Sequence, residues 1–252
     1  MLKVADTYIL MVGTVLNCRI KAGKFSVLHS AKPGKGGMAV EIKHPEWLQL
    51  ETDDITLYGY NQEWYRTSFQ RTRGCGPTAA SMLLLYLNQR TAAALPYKSG
   101  SIVSITKVLE DVWRFVTPGW LLGLNSTKKF CTGVEALLGH YGLDWHCRRM
   151  SVAAVRYKRA PLAQVVKFIE AGMAADCPVA FLNLHKGQVD AMESWHWTVL
   201  VALVYEESRQ RYLATCYDGG REIRFDLGLW LETTRFGGGF AYIAAPSLQH
   251  RL

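Results

Sequence analysis

The sequence predicts an α+β domain in which helices come first along the chain and antiparallel strands follow. After Gly74-Cys75-Gly76-Pro77 the chain is apolar on nearly every side for about three turns, which is typical of a helix inside a fold. Apolar residues then recur at helical spacing in three further segments, and a series of strand-like runs follows these helices from residue 178. The predicted class rests on this one buried helix and on the order of the elements.

The composition indicates a globular chain that can bury a core of its own. Of the 252 residues, 49% are hydrophobic and 20% are charged. No apolar stretch reaches the roughly 18 residues of a membrane span. The short apolar run at residues 9–16 is interpreted as a first strand and not as a signal segment. We therefore expect a cytoplasmic protein.

The net charge of +8 raises the question of an acidic partner such as nucleic acid. The basic residues occur as separated pairs and not as a long run, and no nucleic-acid motif accompanies them. This pattern favours a solvated surface over nucleic-acid binding. The six cysteines show no regular framework, so we expect mostly reduced thiols.

The first 57 residues are predicted to be a β-rich N-terminal extension, followed by one domain over residues 58–246 and a tail at 247–252. Three strand-like pieces, at 8–15, 25–29 and 38–42, surround a turn-rich loop at 32–37, and another extended piece covers 56–60.

Within the domain, the predicted helices follow the one at Cys75 in close succession. They cover residues 104–116, a segment from near Thr132, and 161–172. Glu135, three residues after Thr132, would complete a capping box there. The predicted strands are 178–184, 195–205, 211–217, 221–225 and 240–244, with a helical turn or two at 227–232.

Cys75 is the first candidate for chemistry. It precedes the buried helix, where free amide groups and the positive end of the dipole favour a thiolate. The flanking glycines would leave its approach open. Taken alone, a cysteine beside a turn is more often a packing residue. A reactive role needs a base, a group that orients the base, and donors for an oxyanion.

His196 and Asp218 supply the missing groups. His196 starts the most apolar predicted strand, between Trp195 and Trp197, where an imidazole needs a polar partner. Asp218 ends the next strand, just before Gly219-Gly220, a hairpin turn signal. Antiparallel neighbours bring the start of one strand close to the end of the next, so both side chains are predicted at one sheet edge. Taken separately, each also has an ordinary reading, as a hydrogen-bonded core histidine and as a turn aspartate.

The order Cys, His, Asp on these elements resembles that of papain-like thiol enzymes. Residues 74–84, Gly-Cys-Gly-Pro-Thr-Ala-Ala-Ser-Met-Leu-Leu, resemble the nucleophile motif of C39-like cysteine peptidases. Residues 60–65, Tyr-Asn-Gln-Glu-Trp-Tyr, resemble a segment that often precedes it, and His196-Trp197 with the following apolar residues resembles the family's histidine strand. The resemblance covers about residues 58–245.

This resemblance implies a thiol peptidase in which Cys75 attacks, His196 is the acid and base, and Asp218 orients the imidazole. The Cys75 amide and a glutamine would bind the oxyanion, either Gln62 or Gln70, with Gln62 in the better family match. We expect the substrate site to be lined by Gly74, Trp195 and Trp197. Trp195 departs from the glycine that many relatives have there, and Arg71 and Arg73 close to the nucleophile could select an acidic substrate.

The expected substrate is a peptide or amide, with no cofactor. No metal is expected either, since Cys131, His140, His146 and Cys147 lack the short paired spacing of a zinc site. Two alternatives stay open at this point. The same triad could transfer an acyl group to an amine, or the chain could be a non-catalytic binding protein that retains the fold.

Overall fold

A computed structural model describes residues 39–52, 55–91, 95–121 and 123–244 of the chain. The predicted strands at 8–15 and 25–29, the loop at 32–37 and the tail at 247–252 lie outside these residues. In the described part, helices and antiparallel strands form an α+β fold, which confirms the predicted class.

The main sheet has seven strands, and every pairing in it is antiparallel. Its strands are β1 (Ala39–Glu41), β4 (His146–Val152), β5 (Val179–Asn183), β6 (His196–Glu206), β7 (Arg211–Asp218), β8 (Arg221–Asp226) and β9 (Gly238–Ala244). The order is β4-β9-β5-β6-β7-β8, and β1 pairs with β6 beyond the end of β5. Strand β6, which begins at the predicted histidine, is therefore at the centre of the sheet.

The helices are α1 (Ser68–Arg73), α2 (Cys75–Thr91), α3 (Ile102–Trp113), α4 (Thr127–His140), α5 (Leu162–Ala174) and α6 (Leu227–Thr233). Helix α2 packs against β6 as well as α3 and α4. Every residue from Gly76 to Leu87 is buried, as expected for a helix that is apolar all round. Its burial fixes Cys75, the first residue of the helix, against the sheet.

Residues 39–57 are part of the same fold as the rest, although the predicted boundary placed them in a separate extension. Strand β1 extends the main sheet, and a short hairpin pairs β2 (Gln49–Glu51) with β3 (Thr56–Tyr58). The boundary at 57/58 falls inside β3. Leu48 and Leu50 are buried in the core that contains α2. A separate extension therefore stays a prediction only for residues 1–38.

Three local predictions need correction. Helix α4 begins at Thr127 and not near Thr132, because the Ser126 side chain accepts from the Lys129 amide and caps an earlier turn. Cys75 is the first residue of α2, whereas the sequence predicted that it precedes the helix and left Pro77, the third residue, at the helix start. Strand β4 and helix α1 were not predicted, since both have polar sequences without a regular apolar pattern.

Close packing of α4 yields a first prediction. A methyl group on Gly133 would lie 2.6 Å from the Phe115 carbonyl oxygen, whereas one on Gly139, in the same helix, meets nothing within 4 Å. We expect Gly133→Ala to lower the free energy of unfolding by about 1–3 kcal/mol because backbone must move. Gly139→Ala should raise it by up to about 1 kcal/mol. Urea denaturation tests this, and equal effects of the two substitutions would contradict the packing described.

Candidate active site

Cys75 is placed by the junction of α1 and α2. Gly74 ends α1, and its carbonyl accepts from the Thr78 amide, so α2 starts at the nucleophile candidate itself. The first amides of a helix have no partner within it, and here they belong to Cys75 and Gly76. The Cys75 side chain is half-buried. The Cys75 sulfur and the Cys75 backbone amide thus lie together at the N-terminal end of α2.

The glycines that flank Cys75 are needed for packing. A methyl group on Gly74 would lie 2.5 Å from the Tyr65 ring, and one on Gly76 would lie 2.7 Å from the Leu124 side chain. Both contacts are shorter than side-chain atoms tolerate. The space beside Cys75 is therefore occupied by Tyr65 and Leu124, which corrects the expectation that these glycines open the approach for a second molecule.

His196 and Asp218 meet as the strand order predicts. His196 is the first residue of β6 and Asp218 is the last of β7, and the pairing of Val199 with Tyr217 brings the two ends together. His196 Nε2 lies 2.7 Å from Asp218 Oδ1. The two side chains are 16% and 12% exposed. The carboxylate holds one ring nitrogen, which leaves Nδ1 for the Cys75 side chain that also interacts with this imidazole.

The electrostatics of this group favour a protonated imidazole. Burial lowers the pKa of His196, but the charge and hydrogen bond of Asp218 and the interaction with Cys75 outweigh it. The pKa of His196 therefore lies well above its ordinary value. Such a histidine stabilises the folded state fully below the ordinary pKa near 6.5, and this contribution is lost as the pH rises through the folded-state value.

The turn that carries Asp218 is supported by the β2–β3 hairpin. Gly219 and Gly220 have φ of 57° and 87°, conformations that favour glycine, and they join β7 to β8. The Tyr58 amide donates to the Gly220 carbonyl over 3.0 Å, and the Asn61 side chain donates to that of Gly219 over 3.4 Å. No local sequence pattern predicts this support, because its hydrogen bonds join residues more than 150 positions apart.

Trp197 lies beneath the site and not in it. It is 2% exposed, its ring stacks on Phe130 with 4.4 Å between centroids, and its Nε1 donates to the Leu124 carbonyl. A substrate could not reach this ring without repacking the core, so the expected substrate contact at Trp197 is corrected. Its hydrogen bond instead fixes Leu124, the residue that packs on Gly76 beside the nucleophile.

Trp195 is exposed immediately before His196. Its φ is +59°, in the region that favours glycine, and its side chain is 47% exposed. The ring lies 5.9 Å from that of Phe236, which is also exposed. A strained aromatic residue next to a candidate catalytic group is typical of a functional site. Phe236 was not singled out from the sequence, where only its place before Gly237-Gly238-Gly239 marked it.

The two candidate oxyanion glutamines have different surroundings. Gln70 is buried, caps α1 together with Thr67, and donates from Nε2 to Glu110 over 2.6 Å. Gln62 donates from Nε2 to the Arg71 carbonyl over 2.7 Å, and its Oε1 is buried without a hydrogen-bond partner among the described residues. Each amide nitrogen keeps a second hydrogen. Which of them faces an oxyanion stays a prediction.

Within the described ranges, no group of three or more His, Cys, Asp or Glu side chains is arranged to hold a metal ion. None of the helices described there is long and apolar enough to cross a membrane.

Comparison with known proteins gives a structural likeness. No protein-family model matches the chain, and no curated protein matches it. Among solved structures, it is similar to that of UfSP from C. elegans, at 9% sequence identity and a TM-score of 0.48. The similarity covers 84% of this chain and 35% of that one, so the chain spans about a third of its neighbour's length.

The histidine–aspartate pair gives a prediction on protonation. Asn in place of Asp218 keeps the shape of the side chain but removes its charge, so the pKa of His196 should move to lower pH in Asp218→Asn. Carbon-13-labelled histidine and NMR titration would measure this, with His196→Gln identifying the signal. A His196 signal that titrates at the same pH in both proteins would contradict the role given to the carboxylate.

Proposed function

We propose that the protein is a papain-like thiol hydrolase that cleaves a peptide or amide bond through Cys75, His196 and Asp218. The observation that carries this proposal is the 2.7 Å contact between His196 and Asp218, made by an imidazole that also interacts with Cys75. A nucleophile, a base and a carboxylate that orients the base are the groups that covalent catalysis of this kind requires.

In the first step, the Cys75 sulfur attacks the substrate carbonyl carbon and the carbonyl oxygen takes the negative charge. The Cys75 amide at the mouth of α2 is placed to donate to that oxygen. We assign the second donor to Gln62, because the amide group of Gln70 is already fixed at both ends by Thr67 and Glu110. The protonated His196 then gives its proton to the leaving amine, and a thioester forms on Cys75.

In the second step, neutral His196 takes a proton from water, and the resulting hydroxide equivalent attacks the thioester. Collapse of this intermediate releases the acid product and restores the Cys75 sulfur. Asp218 keeps Nε2 of the ring bound throughout, so Nδ1 stays directed to the sulfur. The carboxylate also stabilises the imidazolium that this cycle passes through.

Loss of the nucleophile or base should abolish turnover. In a peptide-hydrolysis assay, we expect Cys75→Ala and His196→Gln to lower the rate by about 10³-fold or more, as loss of a triad member commonly does. His146→Gln, at an exposed histidine of β4, should leave it unchanged. Thermal unfolding would show that each variant is folded. Full activity in folded Cys75→Ala would refute the mechanism, and products joined to an added amine would show acyl transfer instead of hydrolysis.

Trp195 should act in substrate binding at some cost to stability. The left-handed backbone costs a non-glycine residue roughly 1–2 kcal/mol. Trp195→Gly relieves this strain but removes an exposed aromatic surface, so we expect KM to rise severalfold with little change in the free energy of unfolding. Gln210→Gly is the matched control, because Gln210 has φ +49° at an exposed turn. It should leave KM unchanged, and equal KM for both variants would remove Trp195 from the binding site.

A further inference from the structure

Arg73 lies beside the nucleophile, with only Gly74 between it and Cys75. It is four residues after Phe69 in α1, so both side chains are on one face of that helix. Trp120 and Gly123 lie along this face. Trp120 stacks on Phe69 with 5.3 Å between centroids, and the Arg73 side chain passes Gly123, 3.9 Å from where a β-carbon would stand.

The two arginines near Cys75 differ in their partners. Arg71 donates to the carbonyls of Tyr65 and Arg66, and its Nε lies 3.9 Å from a Glu63 carboxylate oxygen. Arg73 has no ion pair or hydrogen bond from its side chain to any described residue. Its Nε is buried and has no hydrogen-bond partner in the part of the chain that the structure describes. A buried donor without a hydrogen-bond partner lowers the free energy of unfolding by about 1–3 kcal/mol. Such a donor calls for an explanation, and binding of a ligand would provide one.

Positive groups face Cys75, whereas two carboxylates of the neighbouring elements already have partners. The N-terminal end of α2 and the protonated His196 both converge on Cys75. The nearby carboxylates are engaged elsewhere, Glu110 by the Gln70 side chain and the Arg66 amide, and Asp218 by His196. The Arg73 guanidinium, two residues before Cys75 in the chain, thus has no carboxylate partner among the described residues, and a ligand could supply one.

We propose that Arg73 is a specificity residue that binds a carboxylate of the substrate close to the scissile bond. The substrate preference in this proposal rests on the proposed function. The expectation that Arg73 attracts an anion to Cys75 does not rest on it. A planar guanidinium takes a carboxylate through two parallel hydrogen bonds, which an amide of the same shape cannot match. The enzyme would thus prefer peptides with an acidic group beside the cleaved bond.

Two alkylating reagents of nearly equal size test the anion site without a known substrate. Iodoacetate is anionic and iodoacetamide is neutral, and both alkylate the thiolate. The rate of modification of Cys75, followed by peptide mass spectrometry at pH 6 and low salt, gives an iodoacetate-to-iodoacetamide ratio. We expect Arg73→Gln to lower this ratio roughly fivefold, the size of the interaction between two unit charges about 4 Å apart in water, and Arg73→Lys to retain most of it.

The control is Lys167→Gln, which changes the net charge equally at an exposed residue of α5. It should leave the ratio as in the wild type. An unchanged ratio in Arg73→Gln, or an equal fall in Lys167→Gln, would overturn the assignment of Arg73. Slow reaction of wild-type Cys75 with both reagents, no faster than that of the unfolded chain, would instead speak against the proposed function.

Matched peptides extend the test to the substrate. Pairs that differ only by Asp or Asn beside the scissile bond measure selectivity for an acidic side chain, and pairs with a free or amidated C-terminus measure selectivity for a terminal carboxylate. In one of the two sets, we expect kcat/KM to favour the acid by roughly tenfold, as a charge-assisted bidentate contact allows. Arg73→Glu should reverse the preference. Equal kcat/KM for acid and amide in both sets would contradict the proposal.

Discussion

The hydrogen bond between His196 and Asp218 depends on the register of two central strands. With the side chains of a strand alternating between its faces, a slip of one residue between β6 and β7 would turn one partner away from the other. The paired residues from Val199–Tyr217 to Glu206–Arg211, interrupted by one irregularity between Leu200 and Ala202, set that register. The candidate site is thus a consequence of how the middle of the sheet is built.

The other half of the site depends on the junction of α1 and α2. Only glycine fits between the Tyr65 ring and the Gln70 carbonyl at position 74, and only glycine fits beneath Leu124 at position 76. Trp197 links the two halves, since it follows His196 in β6 and its indole nitrogen donates to the Leu124 carbonyl. Core residues therefore hold Cys75 and His196 in a fixed relation.

Much of this was predictable because its signals are local. The largely apolar run after Pro77 predicted the buried helix, and the antiparallel pairing of two successive strands predicted the meeting of His196 with Asp218. Strand β4 was missed because its sequence, His-Cys-Arg-Arg-Met-Ser-Val, alternates poorly and forms a strand only by pairing with β9. Likewise, the Leu124 contact that fills the space beside Gly76, and the burial of Trp197, come from residues distant in sequence, which no local pattern encodes.

The central proposal is that Cys75 reacts as a thiolate that pairs with protonated His196. Thiolate absorbance near 240 nm, recorded against pH for the wild type minus Cys75→Ser, measures this species directly. A paired thiolate predicts a difference signal already present at pH 6, which His196→Gln should abolish at that pH. A signal that appears only above about pH 8, the range of an ordinary thiol, and is the same in His196→Gln would contradict the account.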